Sequence, residues 1–578
     1  MAPVETTDDQ RKRHPSIAVT ATFTAEPLAE SLQFWMAELA TDCAVKFAGY
    51  NQVFQQLLDP ASTLSSNPSG LNVVLIRLED WWRGAGAAHC ELDDPENAKN
   101  RVERNSQDLL DALRSATRNS NVPYLLCFCP ASRKTQANDA AATFLASFEA
   151  QIAGKLQDMG GVYIVTSAEM AAMYPIAAYD DPKANQAGHV PYTREFYHAL
   201  GTVIVRRFYR IHTPPHKVIV LDCDNTLWQG VCGEDGTLGV KVGPSFKKLQ
   251  EFIVAQREAG MLVCLCSKNN PEDAWKVFES NPGMVLRREH IVASRINWQS
   301  KSENIRSLAA ELQLGLDSFI FLDDSAIECA EVEAGCPEVL TLQLPGAGND
   351  FANFLSHVWA FDHLKITDED RQRSALYAQN AEREQLRTTS EGLEDFLAGL
   401  ALHVEFIPMS KAELPRTAQL TQRTNQFNLT ARRFSENELD QFCSADDAEC
   451  IAVRVRDRFG DYGLVGAMLF TRQENLLNVQ NVLLSCRALG RRVEHKMLSH
   501  LASIALREGR ETLRIHFVPT RKNQPAREFL ESLGAIPDGT DVHIDLESIR
   551  VATIADCTGE SANLSISANR TGDVVHQI

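Results

Sequence analysis

The sequence VIVLDCDNTLWQG at residues 218–230 decides how the central part of this chain folds. It predicts a short buried strand that ends abruptly in polar, turn-forming residues. Asp222 and Asp224 follow this strand, and on an extended chain they would share one face because side chains alternate with a period of two. Open α/β sheets bind ligands at the carboxyl ends of their strands, and Mg²⁺ prefers carboxylate oxygens. The stretch therefore indicates phosphate chemistry with magnesium.

The same pattern returns at residues 318–325 (SFIFLDDS), where an apolar run ends in Asp323 and Asp324. A further apolar run, residues 261–266 (MLVCLC), ends in the sequence SKN at residues 267–269. Hydroxyl and amide groups in such a place can donate hydrogen bonds to phosphate oxygens. Two acid pairs at strand ends, with this polar sequence between them, favour a phosphate site over a chance strand-to-turn junction.

Lys301 lies at the start of a predicted helix that runs to residue 312. Cations are favoured at the other end of a helix, so a phosphate bound at this helix start would explain the lysine. Taken alone, Lys301 would be interpreted as a solvated surface residue.

Together these motifs resemble those of the haloacid dehalogenase (HAD) superfamily, whose fold is a doubly wound parallel sheet and whose members mostly transfer phosphoryl groups. The resemblance implies that Asp222 is the nucleophile and that Asp224 is the general acid and base. It also implies a Mg²⁺ site formed by Asp222, the Asp224 carbonyl, Asp323 and Asp324.

The resemblance also implies where a phosphate binds. Ser267 and Lys301 would hold it, with Lys301 offsetting charge beside the nucleophile. Thr226, Lys268 and Asn269 are the other candidate substrate- or phosphate-binding residues, and Thr226 would brace the first loop. Residues 231–244 leave room for a small hairpin only, so the site would be open to a large substrate or covered by a neighbouring domain.

A closer resemblance rests on three sequences, DxDNTLWxG at residues 222–230, GEDG at 233–236 and SKN at 267–269. They are similar to the FkbH family of polyketide pathways. That family takes 1,3-bisphosphoglycerate, removes phosphate and loads the glyceryl unit onto the phosphopantetheine thiol of an acyl carrier protein. Cys223 departs from the family pattern, in which an apolar residue is more usual, and we expect it to be structural.

The family mechanism invokes a glyceryl thioester on an enzyme cysteine, and Cys486 and Cys266 are the candidate catalytic thiols. A cysteine in or near a strand is most often a packed thiol, so neither assignment follows from the sequence alone.

The sequence SCRALGRR at residues 485–492 resembles the loop of GNAT-type acyltransferases, whose backbone N–H groups hold the pyrophosphate of coenzyme A. Residues 523–534 resemble a second GNAT element. The candidate residues for binding a carrier or its phosphopantetheine are Arg487, Gly490, Arg491, Arg492 and Asn523. Arg492 departs from the family pattern, in which a small residue is usual, so a ligand-binding domain and a degenerate docking domain both stay open.

In the first two hundred residues, apolar strands alternate with helical patterns, which predicts a parallel sheet. The sequence DDPKANQAGH at residues 180–189 resembles the late Asp/His block of SGNH-type esterases. The serine nucleophile of that family is missing, unless Thr22 replaces it. We therefore expect an SGNH-like domain that is catalytically silent.

Composition and charge limit the classes of function and the locations that fit this chain. A net charge of −19 argues against sequence-independent nucleic-acid binding, which needs clustered cations. No apolar run is long enough to span a bilayer, and the polar residues 1–14 do not resemble a secretory signal. The chain has 14 cysteines, and without an export signal these predict free thiols in the cytoplasm.

We therefore predict a multidomain α/β protein. Its parts are a disordered leader (1–14), an SGNH-like α/β domain (15–213), a HAD-like doubly wound parallel domain (214–362), a helical connector (363–400), a GNAT-like α+β domain (401–548) and a disordered tail (549–578). The first functional hypothesis is a Mg²⁺-dependent glyceryltransferase and phosphatase that loads an acyl carrier protein. The alternatives are a stand-alone HAD phosphatase acting on a small phosphoester and a non-enzymatic scaffold that binds carrier proteins.

Overall fold

The computed structural model describes residues 15–83, 95–157, 159–346, 350–364, 366, 383, 386–387, 390, 392–473, 475–510, 512–533 and 541–545. The predicted leader, the predicted tail and most of the predicted connector lie outside these residues. The described residues form two compact units. Unit 1 comprises those up to Pro214 together with Ser356–Leu364, and unit 2 comprises Pro215–Leu355 and those after Leu364.

Unit 1 contains a five-stranded sheet in the order β2-β1-β3-β4-β5. All its neighbouring strands are parallel, as the alternation of strands and helices predicts. The strands are β1 (Ser16–Ala21), β2 (Ala44–Phe47), β3 (Gly70–Ile76), β4 (Tyr124–Phe128) and β5 (Val162–Val165). The α-helices are Ala29–Glu38, Val53–Leu58, Leu78–Arg83, Pro95–Asn119, Arg133–Gln136, Asp139–Leu156, Ser167–Met173, Pro182–Gly188 and Arg194–His212. The central strands are buried on both faces, which is typical of a parallel sheet covered by helices.

The segment Ser356–Leu364 packs within unit 1, although the chain reaches it only after the central domain. Arg206 forms two hydrogen bonds of 2.5 Å with the Asp362 carboxylate, and both side chains are largely buried. Trp359 contacts the ring of Trp35 at a centroid distance of 4.9 Å. A buried ion pair and an aromatic contact therefore hold this segment in place.

The first part of unit 2 is a five-stranded parallel sheet in the order β10-β9-β6-β7-β8. Its strands are β6 (Val218–Leu221), β7 (Leu262–Ser267), β8 (Ile291–Ile296), β9 (Phe319–Asp323) and β10 (Leu340–Gln343). Its α-helices are Cys232–Asp235, Pro244–Glu258, Pro271–Ser280, Lys301–Leu312, Ala326–Gly335 and Phe351–Ser356. Since β6 lies between β9 and β7, the polar residues that follow these three strands meet at one edge of the sheet.

The sequence between β6 and the next long helix forms a small flap. An antiparallel bridge joins Gln229 to Lys241, and the short helix Cys232–Asp235 lies between them. Throughout residues 215–346, all of which are described, no cap domain interrupts the parallel sheet. This agrees with the small hairpin that the spacing predicts.

The second part of unit 2 is a six-stranded sheet with its strands in sequence order. Only the pair β14 and β15 is parallel, and the other pairs are antiparallel. Its strands are β11 (His403–Pro408), β12 (Ala448–Asp457), β13 (Gly460–Gln473), β14 (Leu476–Leu484), β15 (Thr512–His516) and β16 (Asp541–Asp545). The associated helices are Leu393–Leu400, Leu414–Arg423, Glu436–Cys443, Val493–Arg507 and Gln524–Ser532. The multidomain α/β fold class with a C-terminal α+β domain is confirmed.

The parallel strands β14 and β15 pair only over their first four residues. Beyond these residues, another segment of the chain lies between the two strands. The Leu429 N–H donates to the Val482 carbonyl at 3.1 Å, and the Leu484 N–H donates to the Phe427 carbonyl at 2.9 Å. The Val518 N–H donates to the Leu429 carbonyl at 2.9 Å. Residues 427–429 therefore act as a short inserted strand, which local periodicity does not predict.

No helix among the described residues has the length and apolar character needed to cross a membrane.

We predict that Asp362→Ala destabilises unit 1, because it leaves the buried Arg206 guanidinium without its carboxylate. The expected loss is about 3 kcal/mol, typical of removing one partner of a buried ion pair. Hydrogen exchange of the helix Arg194–His212 measures the effect. Asp350→Ala is the control, since Asp350 and its partner Lys248 are both about half exposed, and it should cost at most about 1 kcal/mol. Equal losses in the two variants would contradict the prediction.

Candidate active site

A buried lysine lies between two carboxylates at the carboxyl edge of the parallel sheet. Lys301 is 2% exposed, and its ammonium donates to Asp222 and, at 2.9 Å, to Asp323. It also donates to the Cys266 carbonyl at 3.0 Å. Lys301 is therefore not a solvated surface residue. Its positive charge offsets the negative charge of Asp222, the predicted nucleophile.

Burial and charge act in opposite directions on these groups. Burial raises the pKa of Asp222, while the Lys301 ammonium and the Ser267 hydroxyl act to lower it. Burial and the charge of Asp222 raise the pKa of Asp323 to about 6. Burial acts to lower the pKa of Lys301, but the two carboxylates outweigh it and the pKa rises above its ordinary value. The lysine therefore stays charged, and the carboxylates depend on a cation to remain ionised.

Three carboxylates could hold a metal ion. Oxygen atoms of Asp222, Asp323 and Asp324 lie within 4.8 Å of one another. Thr226 is fully buried and donates to the Asp324 carboxylate at 3.2 Å, while the Asp324 N–H donates to the Thr226 hydroxyl at 3.2 Å. Thr226 thus braces the loop that carries Asp324, and its contact with phosphate stays a prediction. An all-oxygen donor set of this kind fits Mg²⁺.

The Asp224 carboxylate does not belong to this cluster. One of its oxygens accepts hydrogen bonds from the Trp228 indole at 2.8 Å and from the Cys232 N–H at 3.0 Å. The other accepts from the Asn269 amide at 2.7 Å. The side chain therefore holds the flap to the sheet, and the role of the Asp224 main-chain carbonyl as a metal ligand stays a prediction.

The other predicted phosphate-binding residues separate into different roles. Ser267 is buried and hydrogen-bonded to Asp222. Asn269 is buried and directs its amide at Asp224, so it orients the predicted acid and base. Lys268 is partly exposed and forms an ion pair with Glu328 at 2.9 Å. Of these three residues, only Ser267 lies directly against Asp222, the predicted nucleophile.

The start of the helix Lys301–Leu312 is already occupied by a carboxylate. Glu331 accepts hydrogen bonds from the Lys301 N–H at 2.9 Å and from the Ser302 N–H at 3.3 Å. The phosphate that we expected at this helix start is therefore replaced by the chain's own acid. No local sequence pattern predicts this role for Glu331, because it lies 30 residues from Lys301 along the chain.

The two candidate thiols lie in different environments. Cys266 is buried, and burial raises its pKa to about 12, so it remains a protonated thiol and a poor nucleophile. Its burial argues against the predicted catalytic role. Cys486 is partly buried and packs against the core of the parallel domain. It lies near residues that precede β6 and β9, at the opposite edge of the sheet from Asp222.

A buried carboxylate lies beside the loop that resembles the coenzyme A loop. Burial raises the pKa of Glu494, while the Gly490 backbone N–H acts to lower it. Arg492 has a left-handed backbone with φ of 58°, and its side chain pairs with Glu394. The contacts of Gly490 and Arg492 with a carrier arm stay predictions.

Asn523 and Arg491 are also committed to the fold. The buried Asn523 accepts from the Thr520 N–H at 2.7 Å, and its amide donates to the carbonyls of Asn428 at 3.1 Å and Val518 at 3.0 Å. Arg491 is 4% exposed and lies over the Tyr462 ring. These contacts give both residues a structural role in place of the predicted contact with a carrier arm. Arg487 is partly exposed and remains a candidate.

In unit 1 the acid and histidine of the predicted SGNH-like block do not meet. Asp181 accepts from backbone N–H groups at the start of the next helix, and the His189 ring stacks on Tyr50 at 4.6 Å. Thr22 is buried and donates to Asp80 at 2.9 Å. The SGNH-like assignment and its catalytic silence stay predictions.

No protein-family model matches the chain, and no curated protein matches it. Among solved structures it resembles the N-terminal part of protein BF1531 from Bacteroides fragilis, described as containing a phosphatase domain complexed with Mg. That structure is 22% identical, with a TM-score of 0.50 over 61% of this chain and 94% of that chain. The likeness shows a shared fold.

Two acetyltransferase structures also match. The Vibrio cholerae spermidine N-acetyltransferase in complex with CoA and spermine is 11% identical, with a TM-score of 0.21 over 26% of this chain and 98% of that chain. The Escherichia coli ribosomal-protein-S18-alanine N-acetyltransferase is 15% identical, with a TM-score of 0.19 over 25% of this chain and 91% of that chain. These TM-scores are too low to support an argument.

We predict that Asp323→Asn weakens Mg²⁺ binding by about tenfold or more, because it removes one carboxylate from a cluster of three. Isothermal titration with MgCl₂ measures the affinity. Glu328→Gln is the matched control, since Glu328 lies beside the cluster but pairs with Lys268. An unchanged affinity in Asp323→Asn would show that the ion binds elsewhere.

Proposed function

We propose that the chain is a Mg²⁺-dependent enzyme that removes a phosphoryl group from an organic phosphate. The observation that carries this proposal is the cluster of Asp222, Asp323 and Asp324 around the buried ammonium of Lys301. A cation and an ammonium beside a nucleophilic carboxylate offset charge on a transferred phosphoryl group. The structure from Bacteroides fragilis is complexed with Mg, which supports the choice of this metal.

The reaction runs in two displacements. An Asp222 oxygen attacks phosphorus, the bond from phosphorus to the leaving oxygen breaks, and that oxygen takes a proton from Asp224. Water, deprotonated by Asp224, then attacks phosphorus and releases inorganic phosphate and the free Asp222 carboxylate. The Asp224 oxygen that accepts from the Asn269 amide keeps a second lone pair, which can carry the proton.

The finer proposal is glyceryl loading of an acyl carrier protein in polyketide biosynthesis, with 1,3-bisphosphoglycerate as donor. Here the carrier's phosphopantetheine thiolate, or an enzyme thiolate before it, attacks the acyl carbon and displaces the acyl phosphate. Hydrolysis at Asp222 then cleaves the remaining phosphoester. The lack of a cap domain within residues 215–346 supports a substrate tethered to a protein.

Exposed apolar side chains near the acid cluster add to this support. Leu238 in the flap is 82% exposed, Trp298 close before Lys301 is 71% exposed, and Ile327 close after Asp324 is 80% exposed. Large exposed apolar groups around a polar site are typical of surfaces that bind a partner. We infer that they receive the carrier protein.

The position of the thiols favours a second candidate function. Cys266 is a buried, protonated thiol, and Cys486 lies at the opposite edge of the sheet from Asp222. A phosphatase that acts on a small phosphoester needs no thiol, and the acid cluster alone is sufficient for it. We also propose a cytoplasmic location, because the described cysteines are all free thiols, as a reducing compartment keeps them.

We predict Mg²⁺-dependent phosphate release from 3-phosphoglycerate or acetyl phosphate, measured as free inorganic phosphate. Asp222→Asn should lower the rate by about 10³-fold or more, as loss of a nucleophile does. Asp350→Asn, which changes an exposed carboxylate of the same unit, should leave the rate unchanged. If Asp222→Asn kept the full rate, the proposed nucleophile would be wrong.

Intact-protein mass spectrometry separates the finer proposal from the second candidate. With 1,3-bisphosphoglycerate, Mg²⁺ and a holo-carrier, we expect the carrier to gain a glyceryl group. With Asp222→Asn, a carrier that gains a phosphoglyceryl group instead would show that thiol acylation and phosphate removal are separate steps. Release of phosphate without any acylated carrier would favour the small-phosphoester phosphatase.

A further inference from the structure

Three hydrogen-bond donors fix the orientation of the Asp224 carboxylate, the predicted acid and base. We propose that Trp228 is a positioning residue, whose indole N–H holds this carboxylate so that its oxygen Oδ2 exchanges the proton during the reaction. The Cys232 backbone N–H and the Asn269 amide complete the arrangement. This role of Trp228 rests on the proposed phosphatase function, within which Asp224 acts.

The donors are distributed unequally over the two Asp224 oxygens. Oδ1 accepts from the Trp228 indole at 2.8 Å and from the Cys232 N–H at 3.0 Å, whereas Oδ2 accepts from the Asn269 amide at 2.7 Å. A carboxylate has about four lone-pair positions, shared equally by its two oxygens. These hydrogen bonds therefore occupy both positions of Oδ1 and one of Oδ2. The remaining position of Oδ2 can bind and release a proton while all three hydrogen bonds stay intact.

The Cys232 thiol lies beside the same carboxylate but does not compete with it for a proton. Burial and then the charge of Asp224 raise the pKa of this thiol to about 12. The Cys232 sulfur accepts a hydrogen bond from the Asn269 amide at 3.1 Å. A neutral thiol is only a weak donor, so the backbone N–H of Cys232 is its main contact with Asp224.

The indole donor is held rigidly by the core, while the carboxylate that it contacts can reach a substrate. Trp228 is fully buried, and its ring packs edge-on against Phe278 at a centroid distance of 5.8 Å. The preceding carbonyl, that of Leu227, accepts from the buried Gln250 amide at 2.8 Å. Asp224 itself is partly exposed. A donor fixed in this way is preorganised, because it does not have to reorient during the reaction.

The donors also keep apart two carboxylates that follow the same strand. Asp222 contacts the Lys301 ammonium and the Ser267 hydroxyl, whereas the Asp224 carboxylate contacts the indole, the backbone N–H and the amide described above. A carboxylate that was free to turn would be attracted to the positive charge of Lys301. The three donors hold the Asp224 side chain in its own environment. One aspartate is thereby left for attack on phosphorus and the other for proton transfer.

Two phosphate donors differ in whether their leaving group needs Asp224. When Asp222 attacks 3-phosphoglycerate, the oxygen that leaves phosphorus would be an alkoxide and needs a proton from Asp224. When Asp222 attacks acetyl phosphate, acetate leaves without a proton. Hydrolysis of phosphoryl-Asp222 is the same for both substrates and needs Asp224 to take a proton from water. A misplaced Asp224 should therefore slow both steps with 3-phosphoglycerate but only the second step with acetyl phosphate.

Trp228→Phe tests the role of the indole, because it removes the N–H donor and keeps an aromatic ring. With 3-phosphoglycerate, release of glycerate in the first turnover should slow by about tenfold or more. With acetyl phosphate, acetate should leave at the wild-type rate and phosphoryl-Asp222 should accumulate. Rapid acid quenching measures the released glycerate or acetate, and intact-protein mass spectrometry measures the phosphoryl group on the enzyme. Equal slowing with both substrates, or no slowing with either, would overturn the proposal.

Trp275→Phe is the matched control. Trp275 packs on the same Phe278 ring, at a centroid distance of 5.2 Å, but it is not one of the donors to Asp224. This variant should behave as the wild type with both substrates, and a selective loss with 3-phosphoglycerate would contradict the proposal. Asn269→Ala removes the donor to Oδ2 and leaves the buried indole in place. It should separate the two substrates in the same way as Trp228→Phe, and equal rates with the wild type would contradict the proposal.

A double-mutant cycle keeps this proposal distinct from the proposed function. In an Asp224→Asn background, Trp228→Phe should cause no further slowing with 3-phosphoglycerate, because a residue that acts through Asp224 has no effect once that carboxylate is gone. A further loss in that background would contradict the proposal. Failure of the wild type to release phosphate from either substrate would count against the proposed function. An active wild type with unchanged first-turnover rates in Trp228→Phe would count against the positioning role only.

Discussion

The ammonium of Lys301 between Asp222 and Asp323 is the interaction on which the acid cluster depends. Two buried carboxylates this close repel each other strongly, and removal from water penalises their charged forms. Lys301 stabilises the two carboxylates, because it carries a positive charge and donates a hydrogen bond to each of them. Its position requires that β6, β9 and the helix Lys301–Leu312 be fixed relative to one another. The parallel sheet is thus the scaffold that holds these charges in register.

An internal carboxylate takes the place of an external anion at one helix start in unit 2. Glu331 accepts the first N–H groups of the helix Lys301–Leu312. This position has the geometry and the dipole that attract phosphate. Because the chain satisfies these donors itself, a phosphate at the acid cluster would have to be bound by side chains, and Lys301 and Ser267 are the ones that we predict.

The two edges of the parallel sheet differ in what lies beside them. The carboxyl edge carries the acid cluster, and the amino edge faces a cavity that residues of the α+β domain also line. The α+β domain contributes through its contact with the parallel domain, while the gap between its own parallel strands is filled by residues 427–429.

The acid pairs could be predicted because they depend on local pattern. An apolar run followed by Asp222 or Asp323 predicts a strand and places the carboxylate at its end, whatever the rest of the chain does. The small flap could also be predicted, because the number of residues between β6 and the next long helix is too small for a cap domain. The partners of these groups could not be predicted in this way. Periodicity places Lys301 at a helix start but does not show that its side chain turns inward to Asp222, 79 residues away.

The sequence by itself thus determined the parallel sheets, the acids at their strand ends and the candidate Mg²⁺ ligands. Only the tertiary structure decided that Lys301 is buried, that Glu331 occupies the helix start beside it, that Asn523 supports the fold, and that Cys486 lines a cavity at the opposite edge of the sheet from Asp222. The physical reason is that burial and charge pairing are properties of contacts between distant residues. Local patterns encode which residues form a strand or helix, and packing alone selects the partners of their polar side chains.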